Sequence, residues 1–299
     1  MSQDFSVNPT GSQYIYNNIP VSSFGGSLGG ATVGTYIVPL LGAPAGLGVI
    51  NIVHKMNDLP ADKVEFVHKA SQEAIDKSGL AKKGVKVIYE EEVKASNLLS
   101  RIRGLINPMV GVKQGDNACA IVNDVLAPLL NKGEIHMPEK KLSYTVFHEM
   151  GHQMNANFSK FGAMLQKLRP VSVYLPVVIA LFGAVTKKGE PKDENGLTAG
   201  QKTKNFIRNN AGKLTFFAML PMLTEEAMAT IKGQKLAKGV LSKEMAAKVG
   251  KTNATAYLTY LLSALCASLG AWAAVKIKDK AIEKKQQKVM DLIQFEQQA

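Results

Sequence analysis

Residues 147–155 read FHEMGHQMN, and within them His148 and His152 stand four positions apart with Glu149 between them. On an α-helix that spacing puts both imidazoles on one face, one turn apart, where both can reach a single metal ion. Glu149 is rotated by about 100° from His148, so it sits beside such an ion and can take a proton from an attacking water. Zinc suits this arrangement because it lowers the pKa of water and polarises a carbonyl, leaving Glu149 to act as general base and then to protonate the leaving amine. Two histidines still leave a catalytic zinc short of one protein ligand, and no histidine follows His152 anywhere in the chain.

The position of the third ligand narrows by elimination. The extended pattern HExxHxxGxxH would need glycine at 155 and histidine at 158; Asn155 and Phe158 stand there, which excludes a metzincin. Proteases of the site-two type add a later Asn-Pro-Asp-Gly or Leu-Asp-Gly element, and neither is present. A gluzincin remains, in which a glutamate from a later helix completes the set. The stretch TEEAMATIKGQKLA (224–237) offers Glu225 and Glu226. Adjacent helical residues point about 100° apart, so one of the two is expected to face the metal. The stripe from Glu226 runs through Ala229, Thr230, Gly233 and Ala237, small residues that allow close approach to the HExxH helix; the stripe from Glu225 carries Met228, Lys232 and Leu236. Glu226 is therefore the expected ligand, Glu225 its exposed neighbour, and Thr230 a hydrogen-bond partner behind a ligand. Two acids together also fit the first turn of a helix, where the dipole favours them.

The elements around these residues point to a membrane. No Asp, Glu, Lys or Arg occurs between Phe5 and His54, and ATVGTYIVPLLGAPAGLGVINIV (31–53) matches the roughly 20 apolar residues that cross a bilayer core. Its prolines and glycines equally fit a re-entrant segment. TAYLTYLLSALCASLGAWAAV (255–275) is a second candidate span. Two shorter runs, 171–185 and 214–223, fall below spanning length and read as a hairpin that dips into the membrane, or as buried core helices. The basic stretch KIKDKAIEKKQQK (276–288) follows the last span, where anionic lipid headgroups are its natural partner. The net charge of +12 is spread along the chain without a nucleic-acid recognition motif, so no nucleic-acid partner is expected. Cys119 and Cys266, the only cysteines, support neither a disulfide framework nor a cysteine zinc cluster.

Between the apolar segments the composition is that of an α+β unit. PADKVEFVHKASQEAIDKSG carries Val64, Val67, Ala70 and Ala74 at helical spacing and stops at Gly79. GVKVIYEEE, GVKQGDNACAIVNDV and GEIHMPEKK read as strands or extended segments, with a helix near 92–104 between the first two. The HExxH helix is expected to open near Pro138. The organisation is then an N-terminal tail and apolar segment over 1–54, a zinc peptidase domain over 55–170, an apolar hairpin over 171–223, a helix with the third ligand over 224–254, a transmembrane helix over 255–275 and a basic tail over 276–299.

In this order the segments resemble the membrane-bound gluzincin peptidases of the HtpX heat-shock protease and CAAX prenyl protease type, over roughly residues 31–275. DNACAIV is similar to that family's Asn-Ala-Phe-Ala strand, KKLSYTVFHEMGH to its zinc helix, and EEAMAT to its Glu-x-x-Ala-Asp helix. The resemblance implies an α+β zincin-like domain combined with transmembrane helices, mainly α overall. It implies a Zn2+ cofactor and cleavage of peptide or membrane-protein substrates, with Asn117, Ala118, Cys119 and Ala120 pairing with an extended substrate backbone. Two departures stand out. Thr230 replaces the aspartate, and no Arg or His follows Glu226, which leaves Tyr257, Tyr260 or His136 as candidate oxyanion donors. Those departures suit an alternative, a catalytically inactive membrane scaffold or adaptor retaining the fold; a soluble gluzincin with buried apolar helices is a third reading. Lys55, Lys63 and Lys69 follow the first segment and no basic residue precedes it, which places the catalytic domain on the cytoplasmic face, although the basic tail argues the other way.

Overall fold

A computed structural model describes residues 49, 51–91, 112–115, 118–122, 133–191 and 196–298. The first apolar segment lies outside the described residues except at its end, where 51–56 is helical, and the helix expected near 92–104 lies outside them too. What is described is mainly helical, with three helices long and apolar enough to cross a membrane and one small sheet.

The helix α1 (Ala61–Ser78) buries Val64, Val67, Ala70 and Ala74 along one stripe and ends at Gly79, whose φ of 78° is the left-handed conformation that closes a helix. Three strands follow: β1 (Lys86–Glu90), β2 (Cys119–Ala120) and β3 (Glu134–Pro138), in the order β1-β3-β2. β1 runs parallel to β3 with Lys86 opposite Glu134, and β2 runs antiparallel to it with Cys119 opposite His136. Pro138 ends β3 rather than opening the zinc helix as its sequence position suggests. The chain next breaks at Leu142, in a left-handed conformation (φ 57°), and passes through a single 3-10 turn, Ser143–Thr145, before α2 (Val146–Phe158) begins. A hydrogen bond from Tyr144 N–H to Asn57 Oδ1 (3.0 Å) pins that turn.

Four long or short helices complete the chain: α3 (Lys160–Val185), α4 (Ala199–Asn209), α5 (Ala211–Val240) and α6 (Lys243–Gln298). The apolar runs 171–185 and 214–223, too short on their own to span, lie within α3 and α5, which are 26 and 30 residues long. The helices outrun their apolar stretches because their polar residues do not seek water: Gln166, Arg169, Glu225 and Glu226 are buried against one another. The junctions expected at 170, 223, 254 and 275 accordingly fall inside continuous helices, with Pro170, Pro176 and Pro221 carried within them. The polar linker after α3 is not featureless: it contains α4, opened by a capping box between Thr198 and Gln201.

One core joins the sheet to the helices. Ile135 and Met137 of β3, Phe147 and Met150 of α2, and Ala237 and Leu241 at the end of α5 belong to a single buried cluster. α2 is thereby sandwiched between the sheet and α5. Further along, Met219, Met222 and Leu223 of α5 meet Tyr260 and Ala264 of α6, while Ile179 of α3 meets Ala211, Ala271 and Val275. These contacts run α5 antiparallel to both α3 and α6. The outward faces of this bundle are apolar and exposed, including Val178, Phe217, Leu269 and Trp272. A contiguous apolar exterior on helices of spanning length is the pattern of lipid contact, compatible with a membrane location.

Candidate metal centre

α2 carries His148, Glu149 and His152, all buried, and presents them toward α5. The two helices can approach because each gives up a side chain at the crossing. A Cβ on Gly151 would lie 2.0 Å from the carbonyl oxygen of Ala229, and one on Gly233 would lie 2.2 Å from that of Phe147. The small-residue stripe Glu226, Ala229, Thr230, Gly233 is thus the contact face. It brings Glu226 Oε2 to 3.1 Å from His148 Nε2 and 3.5 Å from His152 Nε2, with the two Nε2 atoms 3.1 Å apart. A tetrahedral ion with bonds of about 2.0–2.1 Å spaces its ligand atoms by roughly 3.3 Å. The triangle matches one face of such a tetrahedron, so His148, His152 and Glu226 form a buried group able to hold a metal ion.

The atoms behind the triangle fix how the ligands are presented. His152 Nδ1 donates to Glu225 Oε1 at 2.9 Å, and His148 Nδ1 lies 3.2 Å from Thr230 Oγ1. With Nδ1 engaged, each ring turns its Nε2 inward, toward Glu226. Glu226 is steadied by Arg169, whose Nη2 donates to Oε1 at 2.6 Å while its Nη1 donates to Glu225 Oε2 at 2.7 Å. One carboxylate oxygen of Glu226 therefore serves the arginine and the other faces the imidazoles.

Glu225 corrects the expectation of an exposed neighbour: it is as fully buried as Glu226. Residues 100° apart can both be interior when a helix is gripped from two sides, and α5 lies between α2 and α3. The donors to Glu225 come from both, His152 and Asn155 from α2 and Gln166 and Arg169 from α3. Nor do the two acids begin a helix; they sit in the middle of α5, far from any stabilising dipole end.

Protonation follows the same geometry. Burial opposes a charged His152, yet the carboxylates of Glu225 and Glu226 outweigh it and hold the imidazole up at about 9. Burial pushes the Glu149 carboxyl above its ordinary value, against the pull of His152 and His148, which brings it closer to the range useful for proton transfer.

The remaining candidates are dispersed. Ala118, Cys119 and Ala120 are buried at or beside β2, which with β1 is one of the two edge strands among the described residues, and Gln153 of α2 donates to the Ile121 carbonyl at 2.8 Å. Asn117 lies outside the described residues. Among the candidate oxyanion donors, His136 is held in the sheet between Glu90 (2.8 Å) and Glu134 (3.1 Å). Tyr257 and Tyr260 both lie on α6, and Tyr260 is buried against Met219, Met222 and Leu223 of α5. His68 stacks on Tyr89 with ring centroids 3.7 Å apart, away from the centre. The sequence reading missed Arg169, Gln166 and Asn155. Their signal was present but faint: Gln166 and Arg169 lie three apart on one helical face, immediately before an apolar run that a lone charge would otherwise burden.

No protein-family model, curated protein or solved structure matches this chain.

Proposed function

We propose that the chain is a zinc-dependent endopeptidase embedded in a membrane, a gluzincin similar in plan to the HtpX and CAAX prenyl proteases. The observation that carries this reading is the triangle of His148 Nε2, His152 Nε2 and Glu226 Oε2, with sides of 3.1, 3.5 and 3.1 Å, with Glu149 adjacent on the same helix. Two imidazoles and one carboxylate form a donor set suited to zinc, and three protein ligands leave a fourth position for chemistry. A bound zinc ion would supply Lewis-acid polarisation of a substrate carbonyl and activation of water.

The chain supplies the rest. Glu149, kept dry and raised by its burial, accepts a proton from the attacking water and delivers it to the departing amine. Tyr260 offers a hydroxyl from α6 to the developing oxyanion, the role that a later arginine or histidine would otherwise fill. An extended substrate can add to the edge of β2 beside Ala118, Cys119 and Ala120. Because α3 and α5, two helices long and apolar enough to cross a membrane, both contribute residues to the centre, membrane proteins with accessible extended segments are the substrate class, with the basic end of α6 meeting anionic headgroups and the catalytic domain on the cytoplasmic face.

A second reading, a scaffold without turnover, draws on one observation: Arg169 and a protonated His152 together balance the charges of Glu225 and Glu226, so the polar cluster can also fasten α2, α3 and α5 without an ion. Purified protein assayed for bound zinc and for casein cleavage, with and without phenanthroline and beside Glu149→Gln, separates the two. Zinc-dependent cleavage lost in Glu149→Gln supports the peptidase; zinc bound without any cleavage supports the scaffold.

A further inference from the structure

Glu225 stands outside the group that can hold an ion, yet its surroundings are too specific for a residue that only packs. It is fully buried, and an ionised carboxylate in that setting is costly unless every oxygen is engaged. Its Oε1 accepts from His152 Nδ1 (2.9 Å), Asn155 Nδ2 (2.9 Å) and Gln166 Nε2 (2.9 Å), and its Oε2 accepts from Arg169 Nη1 (2.7 Å). Elsewhere along the α5 crossing the chain places alanine and glycine, so helix contact alone has no need of a glutamate here. Of the four donors, only His152 also belongs to the ion-holding triangle. The support behind the two histidines is therefore unequal. His152 has a charged partner at 2.9 Å, while His148 has the neutral Thr230 hydroxyl at 3.2 Å.

We propose that Glu225, clamped by Arg169, is the positioning residue of the metal centre: its carboxylate fixes the Nδ1–H tautomer and ring orientation of His152. The carboxylate support thus comes from the residue that precedes Glu226 and stands behind His152, not behind His148. A carboxylate behind an imidazole raises the basicity of the ligating nitrogen, and loss of such a partner typically weakens metal binding by about 10–100-fold. The inference rests on reading His148, His152 and Glu226 as a metal site, but not on peptide cleavage.

The test is the zinc dissociation constant of the full-length protein in detergent micelles, measured by chelator competition. Glu225→Gln should bind zinc about 10–100-fold more weakly than the parent, and Thr230→Ala should lose less. An unchanged constant in Glu225→Gln, or a larger loss in Thr230→Ala, overturns the proposal. A parent chain that takes up no zinc overturns the metal reading itself. A parent that binds zinc but cleaves nothing removes the peptidase reading and leaves this one intact. Should Glu225→Gln fail to fold, nitrogen NMR of zinc-loaded, histidine-labelled parent protein decides instead. His152 should ligate through Nε2 and keep a proton on Nδ1, shifted downfield of the His148 Nδ1 proton; ligation through Nδ1, or no proton there, overturns the proposal.

Discussion

Among the described residues two arginines are buried within the helical bundle, and they are used in opposite ways. Arg208 donates to the carbonyls of Gly183 and Thr186 at the end of α3 and to Asp279 of α6. It satisfies carbonyls that a helix terminus leaves unpaired, and its charge suits the negative end of the dipole. Arg169 touches no such terminus: its two terminal nitrogens go to the carboxylates of Glu225 and Glu226. The first arrangement finishes its own hydrogen bonding and fastens three elements. The second leaves a carboxylate oxygen and two imidazole nitrogens aimed at one point. A buried charge is a sign of function when its partners converge on something beyond it, and a sign of structure when they do not.

The largest expected effect separates chemistry from scaffolding within the convergent cluster. Glu149→Gln should lower peptide cleavage by about 10²–10⁴-fold while zinc is retained, because the ligands survive and only proton transfer is lost. Unchanged cleavage would remove Glu149 as the base. Arg169→Met and Arg208→Met should each destabilise the apo protein by about 3–5 kcal/mol, the usual cost of leaving a buried partner uncompensated. Zinc should restore thermal stability to Arg169→Met, since an ion can replace the lost positive charge beside Glu225 and Glu226, and should do little for Arg208→Met. Equal rescue of both, read from melting curves in detergent, would erase the contrast drawn between them.

The convergent cluster should also respond to pH. With His152 held up at about 9 in the metal-free chain, its interaction with the carboxylates is fully present below its ordinary value near 6.5 and is lost as pH rises through 9. Zinc competes with that proton, so its affinity should rise across the same window by up to about tenfold per pH unit while apo stability falls. Calorimetric titrations in buffers of different ionisation enthalpy should register a proton released on zinc uptake at pH 7. A smaller effect tests the close crossing. Gly151→Ala or Gly233→Ala should cost about 1–3 kcal/mol through overpacking and weaken zinc binding by separating α2 from α5. Gly239→Ala meets nothing within 4 Å and should be neutral or stabilise by up to about 1 kcal/mol, through helix propensity alone.

What could be read from the sequence was what local geometry encodes. His148 and His152 converge because a spacing of four is one helical turn, and the stripe through Ala229 and Gly233 announces a close crossing because only small residues permit it. The β-branched pattern of β1 and the Gly79 stop of α1 are likewise local. Glu225 was misjudged as exposed because a one-sided view of α5 omits α3, whose contribution is set by tertiary packing. Arg169 precedes Pro170 and looks like a boundary until Glu225 and Glu226, more than fifty residues later, supply its partners. The lengths of α3 and α5 were hidden for the same reason, since polar residues that end an apolar run in sequence need not end a helix when they pair inside the protein.

The route of the chain through the centre also sets a clock. His148 and Glu226 are 78 positions apart, with α3, α4 and the first half of α5 between them. At about 5–20 residues per second a ribosome takes roughly 4–16 s to travel from one to the other, and the hairpin of α3 and α5 must then close before Glu226 can meet the histidines. A half-made chain therefore carries His148, Glu149 and His152 but not yet Glu226. Assembly of the bundle thus comes before the group that can hold an ion is complete.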